Sequence, residues 1–422
     1  MSGSGFIAWR LFLRGHRERR QSKPLFGAAL GIALSLIPLI VVDHFADAMI
    51  EGIIARYRET SSYHFQIRTW EEPLQEEWQT LANKIAAQPG VATAWVERSG
   101  YALARARGPR DGLTLRALPE NAPLRDTEFG RYIEFDEGSW NLADKSILLG
   151  REAARRLEAS VGDKIFILTA ATTAGNITPK VNPMTVKGIF TTGYQDLDRT
   201  WAFISLDEGW NMLAETSSTT FVGGKFTSLA QSSAIWTQIK NTLAPRWKAY
   251  SWRELNRYLL SNLESTRSIL LVIMGLIIII AVLNVLTSMV MLTLEHRREI
   301  GTLKCTGTSP GTISLAFTAA GTLAALIGIL FGLAAGLLMS YHINSIIASI
   351  EYTLTLINGI FTDAPPPVLL SEGYYLQEVP VKMRWLVTSV IGIITLILSI
   401  GAAWLPASRA AGLKPLEVLR KH

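Results

Sequence analysis

The sequence predicts an α-helical membrane protein with four transmembrane helices and a large α+β domain inserted between helices 1 and 2. Hydrophobic residues make up 49% of the chain and charged residues only 18%, whereas a soluble domain has roughly 25% charged residues. The apolar residues are concentrated in a few blocks, each about as long as the roughly 20 helical residues that cross a bilayer. Between the first two blocks, a long stretch mixes strand-like and helix-like patterns.

Four apolar blocks are long enough to span a membrane. We predict transmembrane helices at residues 25–42, 269–292, 313–339 and 385–405, because buried helices of soluble proteins seldom hold such runs without a charge. Ala46-Asp47-Ala48 also resembles a signal-peptide cleavage site. We expect a retained helix, since residues 1–24 precede the block and an amphipathic stretch follows it.

Basic residues flank the predicted helices on one side of the membrane. They are Arg10, Arg14, Arg17, Arg19, Arg20 and Lys23 before the first helix, Arg297, Arg298 and Lys304 after the second, and Arg409, Lys414, Arg420 and Lys421 after the fourth. The positive-inside rule makes these stretches and both termini cytoplasmic. The net charge of the chain is +6. Because the excess basic residues lie beside apolar blocks, they indicate the orientation in the membrane and not a nucleic-acid partner.

Residues 43–268 and 340–384 then lie outside the cytoplasm. In the larger segment, the alternation Lys164–Leu168 predicts a strand, and periodic stretches near residues 74–87, 151–157 and 229–243 predict helices. Turn signals occur at Gly162-Asp163 and Asn182-Pro183. This segment is therefore predicted to be a folded mixed domain.

No pattern of catalytic or metal-binding residues is present in the sequence. The single cysteine, Cys305, excludes a disulfide within the chain and a cysteine metal site. There is no phosphate-binding loop, no Gly-x-Ser-x-Gly elbow and no His-Glu-x-x-His helix. We expect no metal, cofactor or catalytic residue in this chain. A membrane-anchored enzyme stays an alternative that activity of the isolated domain 43–268 would revive.

Two further patterns concern helix placement. The apolar run Phe6–Leu13, followed by basic residues, predicts that residues 1–24 form a cytoplasmic amphipathic helix on the membrane surface, although a disordered basic tail is the alternative. Gly328, Gly332 and Gly336 recur at four-residue spacing. Small residues at that spacing let another helix approach closely, so we expect them to pack against a neighbouring helix.

Residues 293–312 hold the most informative motif. Charged residues there are mixed with Ile300 and Leu303 on a short predicted helix that glycines bound. A helix of this kind can dock on a cytosolic partner and pass force to the second and third transmembrane helices. A plain basic loop after a membrane span is the alternative.

This motif resembles the coupling segment of ABC transporter permeases of the MacB/FtsX superfamily, which includes the lipoprotein-releasing LolC/LolE-type proteins. The matching or adjoining residues, which become our candidate ATPase-coupling set, are Arg297, Arg298, Glu299, Ile300, Gly301, Leu303, Lys304 and Gly307. The cytoplasmic tail 406–422 resembles the closing signature of these proteins. The order of one helix, a large outside domain and three more helices is similar too.

The lipoprotein-releasing branch resembles this chain most. The similar stretches are Leu148–Ala154 with Val161–Lys164, Gly188–Leu206, Trp252 with Glu254–Asn256, and Tyr374–Leu376 with Val379–Val381. Their order is kept along nearly the whole chain. Three features depart from the family: Cys305-Thr306 in the motif, the long segment 340–384, and a hairpin near residues 171–182 that we expect to be short, which puts docking of a carrier in doubt.

The resemblance implies a function and a set of partners. A cytosolic ATPase dimer, holding ATP and Mg, would pull the coupling helix, and a second permease, identical or homologous, would complete the pathway. The cargo would be a lipoprotein in the outer leaflet of the inner membrane, passed to a periplasmic carrier chaperone. Candidate substrate-cavity residues are Ile37, Leu39, Ile40, Phe45, Met49, Leu270 and Ile273. MacB-like efflux and FtsX-like signalling to a cell-wall hydrolase are the alternatives.

Overall fold

The computed structural model describes residues 23–71, 73–173, 176–214, 217–361 and 381–412. The predicted surface helix 1–24, the motifs at 374–381 and the tail 406–422 therefore lie wholly or mostly outside the described residues. The chain divides into two compact units. A helical unit is drawn from residues 1–48, 264–353 and 379–422, and a sheet unit from residues 49–263 and 354–378.

The described helices and strands follow one another in a mixed order. The helices are α1 Lys23–Thr60, α2 Gln75–Ala86, α3 Ala122–Arg125, α4 Thr127–Arg131, α5 Arg151–Leu157, α6 Gln195–Thr200, α7 Leu206–Met212, α8 Ser232–Thr242, α9 Trp252–Leu255, α10 Arg257–Glu295, α11 Arg297–Cys305, α12 Pro310–Tyr341, α13 Ile343–Phe361 and α14 Trp385–Ala411. The strands are β1 Phe65–Arg68, β2 Val91–Arg105, β3 Asp111–Leu118, β4 Glu134–Gly138, β5 Ser146–Gly150, β6 Lys164–Thr173, β7 Asn176–Thr191, β8 Trp201–Ser205, β9 Ser218–Phe226 and β10 Lys248–Ser251.

The helical unit is formed by long apolar helices. Within the described residues, four helices are long and apolar enough to cross a membrane, and each contains one predicted span: α1, α10, α12 and α14. Two of them run well past those spans, because α1 continues to Thr60 and α10 already begins at Arg257. Their shared core is built around fully buried side chains such as Leu36, Val285 and Ala324.

The sheet unit is built on one ten-stranded mixed sheet. The strand order is β10-β1-β9-β2-β3-β8-β5-β7-β4, with β6 paired to β2 and β7. The pairs β3–β8 and β5–β7 are parallel and the others antiparallel. Every residue of β5 and β8 is buried, as expected for interior strands with both faces covered. The outermost strand β4 is mostly exposed and carries three carboxylates, which discourage pairing with another chain.

Two glycines make room for aromatic side chains in this sheet. A Cβ at Gly223 would collide with the ring of Tyr63, and one at Gly224 with the ring of Phe65. Both rings are fully buried. Glycine is therefore required at these two positions of β9 for close approach rather than for backbone conformation.

The hairpin of β6 and β7 corrects two expectations. Its strands pair continuously from Lys164↔Thr185 to Thr173↔Asn176, so the hairpin is long and not short. Asn182-Pro183 lies inside β7 and not in a turn. Proline fits there because Pro183 pairs only with Phe166 of β6, and the ladder from β7 to β5 starts later, at Thr185. The turn predicted at Gly162 is confirmed, with a φ of +93°.

Candidate coupling helix and polar ties of the helices

The predicted coupling motif folds as the helix α11, directly after α10. The two helices meet at His296, whose ring is buried, with Nδ1 3.0 Å from the carbonyl oxygen of Leu292. Its ring also packs edge-on against Phe317 of α12, with centroids 6.2 Å apart. Sequence reasoning missed His296, because nothing in a single sequence distinguishes a buried histidine at a helix corner from an exposed one.

The candidate coupling residues lie on two faces of α11. Ile300 and Gly301 are buried, Ile300 belongs to the apolar core of the helical unit, and Leu303 packs partly against that core. Arg297, Arg298 and Glu299 are exposed, and Lys304 is half-buried. The Oε2 of Glu299 lies 4.0 Å from the Nε2 of His296. Ile300 thus fixes the helix to the bundle, and Arg297, Arg298 and Glu299 lie on its exposed face.

The end of α11 is set by Gly307. Its φ of +88° is in the left-handed region that glycine adopts without strain. The amide of Gly307 donates to Lys304 O at 3.1 Å, and the amide of Thr308 donates to Leu303 O at 3.0 Å. This pair of bonds is the Schellman motif that ends helices. Gly307 therefore has a structural role at the end of α11, and its assignment to the coupling set stays a prediction.

The three spaced glycines of α12 lie against α1. A Cβ at Gly328 would collide with the backbone of Ala29, and one at Gly332 or Gly336 would lie 2.9 Å from the Cβ of Leu36 or Ile40. The two helices are thus in backbone-to-backbone contact over about two turns, as small residues at this spacing permit.

Replacing Gly332 by leucine should destabilise the helical unit by about 2 kcal/mol or more, because the added side chain has no space against α1. The expected measurement is a lower melting temperature of the full chain in mild detergent. Gly401→Leu is the matched control, since no atom lies within 4 Å of a Cβ there. Equal melting temperatures for the two variants would show that the α1–α12 contact does not hold the unit together.

The candidate cavity residues do not form one open surface. Leu39 and Ile40 are fully buried in the core of the helical unit, Ile37, Phe45 and Leu270 are half-buried, and Ile273 is 47% exposed. Met49 is buried and belongs to the sheet unit. The cavity assignment stays a prediction.

A polar tie joins three helices of the helical unit near these residues. The Oδ1 of Asp47 on α1 accepts from Arg384 Nη1 at 2.6 Å and lies 3.0 Å from Arg267 Nη2 on α10. Arg384 immediately precedes α14, and its backbone amide donates to His44 Nε2 at 3.3 Å. The other ring nitrogen of His44 lies 2.9 Å from Ile40 O. We call Asp47, Arg267, Arg384 and His44 the three-helix tie.

Within the sheet unit, the last turn of α1 is held by buried charges. Glu59 lies 3.0 Å from Lys225 Nζ and 3.4 Å from His64 Nε2, and Lys225 also contacts Asp126 at 2.5 Å. All four side chains are at least nine-tenths buried. The ammonium of Lys225 is therefore shared by two carboxylates, one of them on the helix.

A second buried group holds the end of the same helix. Arg116 donates to the carbonyl oxygen of Thr60, the last residue of α1, at 2.7 Å, and makes two bonds of 2.6 and 2.9 Å to the carboxylate of Glu97. The hydroxyl of Tyr63 donates to the same carboxylate. Burial, and then the Glu97 charge, raise the pKa of Tyr63 well above its usual value, so the phenol stays protonated. We call Glu97, Arg116 and Tyr63 the buried triad.

Two protein families match the chain. The MacB-like periplasmic core domain matches residues 25–242, and the FtsX-like permease C-terminal domain matches residues 271–415. Together these matches cover both units.

Full-length relatives match as well. The lipoprotein-releasing system transmembrane protein LolC of Xylella fastidiosa is 24% identical over 94% of this chain and 92% of its own length. LolE of Haemophilus influenzae is 23% identical over 99% of both chains, and LolC of Neisseria meningitidis is 23% identical over 93% of this chain and 92% of its own. With four apolar, span-length helices among the described residues, the chain is a multi-pass inner-membrane protein. It belongs to the MacB/FtsX superfamily of ABC transporter permeases, with LolC- and LolE-type proteins among its relatives.

Proposed function

We propose that this chain is the permease subunit of an ATP-driven transporter that extracts lipoproteins from the outer leaflet of the inner membrane. The observation that carries the proposal is the similarity to lipoprotein-releasing LolC and LolE proteins over more than nine-tenths of the chain. The efflux and signalling alternatives have no such support. Both termini and α11 are cytoplasmic in this proposal.

The energy of the reaction explains why an ATPase is needed. Each buried methylene contributes about 0.8 kcal/mol to membrane anchoring. One acyl chain of roughly 15 methylenes therefore costs on the order of 12 kcal/mol to remove, and a lipoprotein anchor has several chains. The cytosolic ATPase dimer, with its ATP and Mg, supplies this energy, and a second permease completes the pathway.

Force enters through the exposed face of α11. Arg298 and Glu299 contact the ATPase, because they are exposed charges on a short helix. Ile300 transmits the force, because it is buried in the core that α10, α12 and α14 share. Of the eight candidate coupling residues, this proposal therefore assigns contact with the ATPase to Arg298 and Glu299.

A carrier chaperone would dock on the sheet unit. An open groove of about 400 Å³ beside the β6–β7 hairpin is lined mainly by apolar residues, among them Tyr101, Leu103 and Leu168. Tyr101 is 82% exposed, and Phe166 and Val181 are exposed as well. An exposed apolar patch of this kind is typical of an interaction surface.

Reversing the charge of Glu299 tests the coupling assignment. The Glu299→Arg variant should fold normally, because the side chain is 61% exposed, but should release lipoprotein at least about tenfold more slowly per ATP hydrolysed. The assay uses proteoliposomes with the ATPase, the second permease, the carrier and a triacylated lipoprotein. Because Gly301 is buried, the double change of Glu299 and Gly301 is the less specific test.

Glu128→Arg is the matched control. It is also an exposed charge reversal, at a side chain with 56% exposure that lies 4.0 Å from Arg131 in the sheet unit. If Glu299→Arg releases lipoprotein as fast as Glu128→Arg, with normal ATP use, α11 is not the coupling element. Absence of lipoprotein release by the unaltered complex would overturn the proposed function itself.

A further inference from the structure

A groove lies between α10 and α14 at the ends of these helices nearest α11. Its volume is about 330 Å³, and its walls include Leu286, Val290, Leu294, Leu405, Arg297 and Arg409. None of its lining residues is acidic. Apart from Arg297, which is in the candidate coupling set, its lining residues have no part in the coupling or cargo roles proposed above.

The apolar wall of the groove is a stripe along α10. Leu286, Val290 and Leu294 recur every four residues, so they lie on one face of the helix over about 12 Å. Val290, Leu294 and Leu405 of α14 are exposed at the outside of the helical unit. In an inner-membrane protein, an exposed stripe on a spanning helix faces lipid chains.

The open end of the groove is positively charged. Arg297 and Arg409 are both exposed, and among the described residues no carboxylate forms an ion pair with either guanidinium. Arg297 is also the first residue of α11, where the helix dipole disfavours a cation. Two guanidinium groups that pair with no carboxylate of the described residues, set beside an apolar stripe, match a ligand with a negative head and an apolar tail.

We propose that this groove binds one anionic phospholipid. The phosphate lies between Arg297 and Arg409, and an acyl chain lies along Leu286, Val290 and Leu294. Basic pockets between transmembrane helices on the cytoplasmic side favour anionic headgroups in this way. The inference rests on the proposed orientation of the chain and not on the nature of the cargo.

The experiment measures lipid retention by the full-length chain, purified from membranes in mild detergent with any subunits that accompany it. Native mass spectrometry follows titration with phosphatidylglycerol and, separately, phosphatidylcholine. Each basic residue near a membrane surface contributes about a fivefold gain in affinity, so the double change Arg297→Gln with Arg409→Gln should weaken phosphatidylglycerol binding about thirtyfold. Val290→Trp, which fills the groove and keeps both charges, should also abolish tight binding.

The control is Arg110→Gln, since this exposed arginine of the sheet unit does not line the groove; it should retain phosphatidylglycerol. Equal retention by the double variant, equal binding of phosphatidylcholine, or unchanged binding in Val290→Trp would each overturn the proposal. Displacement by inorganic phosphate alone would also overturn it, because the acyl chain would then contribute nothing. These readouts need neither ATP nor lipoprotein, so failure of the proposed function would leave them interpretable.

Discussion

Replacing Arg116 by methionine should destabilise the sheet unit by about 3–5 kcal/mol. The substitution leaves the carboxylate of Glu97, which is 1% exposed, without its cationic partner, and an uncompensated buried charge costs about that much. It also removes the donor to the carbonyl oxygen of Thr60 and the guanidinium 4.1 Å from the centre of the Trp201 ring. Denaturant unfolding followed by tryptophan fluorescence measures the effect, since most tryptophans lie in this unit.

Two further variants separate charge burial from other causes. Arg107→Met removes a surface ion pair with Asp163. Because the side chain of Arg107 is 70% exposed, the loss of stability should be less than about 1 kcal/mol. The double change Glu97→Gln with Arg116→Met should recover part of the lost stability, because no buried charge is then left alone. Arg116→Met as stable as Arg107→Met would show that the buried triad does not secure the end of α1.

The positions of the four spanning helices could be predicted because each contains a long apolar run, but the full lengths of α1 and α10 could not, because both helices continue beyond their apolar runs. The short helix after α10 could be predicted because Ile300 and Leu303 alternate with charges. Only the structure shows that Ile300 is buried and Glu299 exposed. Nine residues are too short a stretch for periodicity to predict which face of the helix is buried. Gly307 was assigned to the coupling set on resemblance. In the structure its φ of +88° shows why a glycine ends α11 at this position.

The turn predicted at Asn182-Pro183 was wrong for a physical reason. Asn-Pro is an ordinary turn signal, but a proline can also lie in a strand where one side of that strand has no partner. At Pro183, β7 pairs with β6 only, because its ladder with β5 begins later, at Thr185. The parallel pairs β3–β8 and β5–β7 could not be predicted either. They join strands far apart in sequence, and the burial that makes these strands apolar carries no information on which neighbour they pair with.

The three-helix tie was also beyond sequence reasoning. Asp47 and Arg384 are 337 positions apart, and Ala46-Asp47-Ala48 drew attention as a cleavage signal instead. In the structure, Asp47 is an internal residue of α1 with 14% side-chain exposure. An acidic residue at this position of an apolar helix is retained because two arginines neutralise it, as is typical of ionisable residues in membrane helices.

Asp47→Asn should therefore loosen the helical unit, with a loss of about 1.5–3 kcal/mol, the usual contribution of hydrogen bonds to a charged group. The neutral amide leaves Arg267 and Arg384 without a carboxylate partner, and Arg267 is half exposed, which limits the cost. We expect a lower melting temperature of the full chain in detergent and faster proteolysis after Arg384. Asp144→Asn is the control, an exposed aspartate in the sheet unit. A double-mutant cycle with Arg384→Gln tests the pairing itself. If Asp47→Asn costs the same stability whether or not Arg384 is present, the tie between α1 and α14 contributes nothing. Helix packing through Gly328, Gly332 and Gly336 would then hold α1 in the bundle without it.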